Sequence, residues 1–133
     1  MAKAVSTFLM FEGRAEEAMN LYVSLFPNSE VQAVVRWGAE GPGKEGSIMQ
    51  AFFTLNGHSM RCFDSPPAHA FTFTPSMSIF VDCEDEAELE RVCATLSEGG
   101  AFMMPLGEYG FSKKFAWLSD RFGVSWQLNL PFD

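Results

Sequence analysis

The sequence predicts an α+β protein built from two successive βαβββ modules. Three observations carry this: a strand-then-helix pattern that occurs twice, an Asn-Gly hairpin flanked by strand-like runs, and a chain too short for more than one ordinary domain. With 133 residues and 47% hydrophobic composition, the chain can bury a core, which excludes disorder as the default state.

Residues 5–11 (VSTFLMF) are β-branched and aromatic and read as the first strand. Ala15, Ala18, Met19, Tyr22, Val23 and Phe26 then recur at the spacing of one buried helix face, and Pro27-Asn28 ends the helix. A second strand, 30–37, precedes the loop GAEGPGKEG, too rich in Gly and Pro for regular structure. IMQAFFTL and HSMRCFD flank Asn56-Gly57, a hairpin signal because both central residues need positive φ. Residues 65–75 (SPPAHAFTFTP) form a connector. The pattern then restarts with strand SMSIFVD, an acidic-fronted helix over 84–98 stopped by Gly99-Gly100, strand AFMMPL, and a hairpin of KFAWLSD and SWQLNL.

The restart is an internal repeat. An offset of 70 places Ser6 on Ser76, Met19 on Leu89 and Tyr22 on Val92; an offset of 66 places Gly57 on Gly123 and Arg61 on Gln127. The modules span about 1–64 and 76–133. In the last strand, Val124, Trp126, Leu128 and Leu130 point one way while Ser125, Gln127 and Asn129 point the other. In the strand that opens the second module, Met77, Ile79 and Val81 should face the helices. The same alternation puts His58 with Met60 and Cys62 on the packed face of its strand.

Charge and cysteine content exclude several functions. A net charge of −8 argues against a nucleic-acid binder and against adhesion to anionic membranes. Seven of the 17 acids lie in residues 82–98 against one Arg, so the acidity belongs mostly to one solvated helix. Three cysteines without CxxC spacing make neither a disulfide framework nor a zinc site. No signal-peptide pattern or membrane-length apolar run is present, so a cytoplasmic protein without nucleic-acid or membrane partners is expected.

The segments FLMFEGRAEEAMNLYVSLFP, MPLGEYGF and FAWLSDRFGVSWQLNL span nearly the whole chain. Through them and its paired modules, the sequence resembles the PhnB-like branch of the vicinal oxygen chelate (glyoxalase/bleomycin resistance/dioxygenase) superfamily. The resemblance implies a curved mixed sheet around a cleft, with helices on the outer face. It also implies a homodimer, with or without exchange of modules, for which Phe71 and Phe73 of the connector would suit a contact. Branch members commonly carry the label 3-demethylubiquinone-9 3-methyltransferase, yet no Gly-rich turn after a parallel strand offers a seat for a methyl donor.

In that superfamily four strands project His, Glu or Gln toward a divalent metal. The repeat and the resemblance together put Ser6, Arg61, Ser76 and Gln127 at those positions. Hydroxyls are poor ligands and a guanidinium has no lone pair, so no cofactor or metal is expected. The implied cleft carries Phe8, Phe52, Phe63, Phe80 and Asn129 beside Arg61 and Gln127, an apolar surface with a few orienting polar groups. Arg61 would meet an anionic oxygen of a small-molecule ligand, or an internal acid such as Asp64 or Glu108. Glu108 and Tyr109, between Gly107 and Gly110, could form a lid. The expected function is metal-independent binding of a small anionic or aromatic molecule. The alternative is a metal-dependent lyase, isomerase or dioxygenase of the superfamily type with unorthodox ligands.

Overall fold

A computed structural model describes all residues, 1–133. It is α+β, with two four-stranded mixed sheets, each carrying one helix. The chain divides into a first unit, Met1–His69, and a second, Ala70–Asp133.

The first unit contains β1 (Thr7–Phe11), α1 (Ala15–Leu25), β2 (Glu30–Arg36), β3 (Ile48–Leu55) and β4 (His58–Asp64). Its sheet order is β1-β4-β3-β2, with β1 parallel to β4 and the other pairs antiparallel. The hairpin turns at Asn56 (φ 48°) and Gly57 (φ 82°), the pair of positive angles a two-residue turn demands. α1 buries Ala15, Ala18, Met19, Tyr22 and Leu25 against β2, β3 and β4, so Leu25 fills the place expected for Phe26. Burying one such large side chain contributes about 1.5–3 kcal/mol, whereas an exposed pair such as Arg14–Glu17 contributes about 0–1 kcal/mol. The apolar face therefore holds the helix.

The N-cap residue, Arg14, makes no side-chain cap to the backbone of α1. Instead Asp64, at the end of β4, accepts from the Gly13 and Ala15 amides through Oδ1 (2.8 and 2.9 Å) and from Ile48 through Oδ2 (2.9 Å). One carboxylate thus ties β4, the helix start and β3 together, at the positive end of the helix dipole. The glycine-rich loop after β2 wraps Trp37, whose indole donates to the Asp64 carbonyl. A Cβ on Gly43 would lie 2.3 Å from that indole nitrogen, so only glycine permits the wrap.

The second unit contains β5 (Ser78–Asp82), α2 (Glu86–Ser97), β6 (Ala101–Gly107), β7 (Lys114–Ser119) and β8 (Ser125–Leu130), in sheet order β5-β8-β7-β6. Asp85 caps α2 by accepting from the Glu88 amide, while Glu88 accepts from that of Glu84. Leu89, Val92, Cys93 and Leu96 pack on β6, β7 and β8, over a core of Trp126, Leu118 and Leu128. Asp120 accepts from the amides of Phe122 and Val124 and from the Trp126 indole. That carboxylate sets the β7–β8 turn.

Pairing register corrects the repeat. Phe8 pairs with Arg61 and Phe80 with Gln127, so the opening strands are offset by 72 residues, while Tyr22 and Val92 on the helices keep an offset of 70. The second module has a strand-to-helix passage two residues shorter. The counterpart of Ser6 is consequently Ser78, not Ser76. Met77, expected on the packed face, is exposed and lies ahead of β5.

Candidate functional site

Each helix covers one face of its sheet and leaves the other face uncovered within its own unit. On the first sheet that uncovered face presents Phe8 from β1, Phe52 from β3, and Arg61 and Phe63 from β4. The packed face takes the alternate residues Leu9, Phe11, Phe53, Met60 and Cys62. Phe8 and Phe63 stack at 5.1 Å between ring centroids. Arg61 sits across the ladder from Phe52, its guanidinium carbon 4.5 Å from the ring centroid. Neither Asp64 nor Glu108 pairs with it. Asp64 points to the packed side, where three amides hold it, and Arg61 makes no salt bridge. The half-buried cation is therefore left facing an aromatic wall.

The second sheet carries a neutral counterpart. Phe80, 54% exposed, stands beside Gln127 in the ladder and 6.4 Å from the Phe115 ring. Gln127 Nε2 donates to Ser78 Oγ (3.3 Å), Ser78 and Ser125 hydroxyls meet at 2.6 Å, and Trp117 Nε1 donates to Ser125 Oγ (2.9 Å). Asn129 donates to Asp82 at 2.9 Å. Trp117 and Asp82 were not among the residues singled out from sequence. The signal was alternation, since Ser78, Ser125 and Trp117 share the parity of Phe80 and Gln127.

Ser6 precedes β1 and belongs to no strand. Ser76 lies in the turn before β5, its hydroxyl 2.8 Å from that of Thr74. Tyr109 donates to the Pro105 carbonyl, stacks on Phe111 and meets Phe115 edge-on, while Glu108 is exposed. His58, expected on the packed face, is exposed instead and meets Thr7 Oγ1 at 3.0 Å. As the first residue after the turn it lies beyond the part of the sheet that α1 covers. Phe71 is exposed, and Phe73 lies near Gly123 of the β7–β8 turn. Cys62 is buried, and desolvation, with a smaller effect of nearby Asp64, pushes its thiol up to about 12. It is no nucleophile at neutral pH.

The donor set does not fit a divalent metal. No three His, Cys, Asp or Glu side chains gather into a possible metal cluster. The positions that the superfamily pattern would use offer a guanidinium, an amide and hydroxyls, and the cation among them opposes a metal charge.

The family profile described as 3-demethylubiquinone-9 3-methyltransferase matches residues 3–129. The chain belongs to that family. Among solved structures, the PhnB protein of Bacillus cereus is similar at 56% identity and TM-score 0.93, covering 96% of this chain and 99% of its own. A Pseudomonas aeruginosa protein is similar at 28% identity and TM-score 0.84, covering 99% and 100%. A glyoxylase/bleomycin resistance protein/dioxygenase domain from Frankia shares the fold at 15% identity and TM-score 0.61, with 99% of each chain covered. No functionally curated protein matches.

In this member of the 3-demethylubiquinone-9 3-methyltransferase family, the turn after parallel strand β1 contains one glycine, Gly13. Its amide is already held by Asp64, as is that of Ala15. The start of α1 is thus filled from within the chain. No helix in the structure is long and apolar enough to cross a membrane.

Proposed function

We propose that the protein binds a small anionic molecule with an aromatic body on the uncovered face of the first sheet, without a bound divalent metal. The observation that supports this most is Arg61, a half-buried guanidinium with no carboxylate partner, lying against Phe52 beside the Phe8–Phe63 stack. A cation kept partly out of water costs free energy unless an anion joins it. A carboxylate or phosphonate can take two parallel N–H bonds from the guanidinium, and the phenyl rings supply an apolar bed for the rest of the ligand. Gln127, Asn129 and Phe80 are proposed as ligand-binding residues of the second sheet's own uncovered face, with Ser78 taking the role first given to Ser76. Tyr109 and Glu108 belong to the loop bordering that sheet.

Methyl transfer is not part of this reading, because the filled start of α1 leaves no seat for a nucleotide-bearing donor there. A homodimer is proposed as the assembly, supported by the exposed rings of Phe8, Phe71 and Phe80. The function is tested by calorimetric titration with benzoate, using protein purified without chelator and assayed for metal. Binding by metal-free protein is expected. Stoichiometric bound metal whose removal abolishes binding would overturn the proposal.

A further inference from the structure

We infer that Ser78 presents its hydroxyl hydrogen outward, as a polarised hydrogen-bond donor, and that a small molecule bound on the second sheet places a neutral acceptor oxygen, of a ketone or amide, against it beside Phe80. The inference rests on the small-molecule reading above and concerns the second unit's own uncovered face.

The donor count carries it. The Trp117 indole N–H can only donate, and so can the amide nitrogen of Gln127. Ser125 Oγ therefore accepts from Trp117, and Ser78 Oγ accepts from Gln127. Between the two hydroxyls lies one short contact, which uses one of their two hydrogens. Ser125 is 2% exposed, and its hydroxyl meets only Trp117 and Ser78, so its hydrogen must go to Ser78. Otherwise a buried hydroxyl hydrogen would have no acceptor, which costs more than any rotamer preference. Ser78 then accepts twice, and its own hydrogen is left for the uncovered face, where Ser78 is part-exposed.

The chain Trp117 → Ser125 → Ser78 runs in one direction and strengthens the terminal donor, since successive hydrogen bonds polarise one another. Its base-free origin also limits the chemistry. Nothing in the chain can take a proton from Ser78, so this hydroxyl is a donor to an oxygen and not a nucleophile. Phe80, its neighbour two positions along β5, supplies the exposed ring surface on which a planar ligand bearing that oxygen would rest.

Acetophenone and its isostere α-methylstyrene, which differ in having C=O or C=CH2, test the inference when titrated by NMR into the protein. Wild type should bind acetophenone roughly three- to tenfold more tightly, the worth of one hydrogen bond. Ser78→Ala should erase that preference without weakening α-methylstyrene, and Gln127→Glu should erase it too, because a carboxylate would capture the Ser78 hydrogen. A folding check by amide spectra accompanies each variant. A preference that survives Ser78→Ala, equal binding of the two probes, or binding of neither would overturn the inference. Benzoate binding that depends on Arg61 would stand untouched by those outcomes, so failure here and failure of the anion reading are separable.

Discussion

Arg61 and Phe52 face each other across β3 and β4 with the guanidinium 4.5 Å from the ring centroid, and no carboxylate shares the arginine. A cation over a ring gains about 0.5–2 kcal/mol. With no carboxylate on the arginine, the pair is open to an external anion, the role proposed for it above. The nearest acid in sequence, Asp64, shows the contrast. Three residues along the same strand it points to the other face, where backbone amides saturate it.

That saturation gives Asp64 a stability role. Asp64→Ala would leave the Gly13, Ala15 and Ile48 amides short of an acceptor, the last two in buried places. A loss of about 2–5 kcal/mol is expected, read as a lowered midpoint in urea unfolding. A change below about 0.5 kcal/mol would contradict the cap.

The cysteines should be silent in the folded protein. Burial raises all three thiols, Cys62 and Cys83 to about 12, the latter aided by Glu88 and Asp82. Little thiolate exists at pH 8, so a chromogenic disulfide reagent should titrate none rapidly in native protein and three in denaturant. Rapid reaction of one native thiol would contradict the burial of that residue.

The order of elements was legible in sequence because helix and strand periods leave clear traces at Met19, Tyr22, Leu89 and Val92, and because Asn56-Gly57 dictates its own turn. The most distinctive segment, DRFG with SWQL, proves to be structural, with Asp120 holding two turn amides and the Trp126 indole. The strand offset was less legible. A two-residue difference between β5 and α2 leaves both periodicities intact and shows only in the pairing of Phe80 with Gln127. Alternation exposed the face of Arg61, but not its lack of an acid partner. Whether Asp64 could reach it depends on contacts 49 residues away, at Ala15.

Stability should fall in acid partly through Glu16. Its hydrogen bonds to Arg36, at 2.6 and 2.9 Å, hold its carboxyl below the ordinary value of 4.5, with the guanidinium charge adding a smaller effect. A depressed pKa contributes stability that is present above the unfolded value and lost as pH falls through the folded one. Glu16→Gln should therefore be less stable than wild type near pH 7. The gap should close as pH drops from about 5 through the folded-state pKa, when followed by thermal unfolding. Because the pair is largely exposed, the increment should be small and weakened by salt. A gap that widens in acid would contradict the pairing.

The most direct measurement is benzoate affinity in wild type, Arg61→Ala and Arg61→Lys, with thermal stability recorded alongside. Loss of charge-assisted bonds should weaken binding roughly ten- to a hundredfold in Arg61→Ala, with only partial loss in Arg61→Lys, which keeps the charge without the fork. Melting temperatures should change little, since the guanidinium holds no internal acid. Unchanged benzoate affinity in Arg61→Ala, with the protein folded, would contradict the proposal that this arginine anchors the ligand.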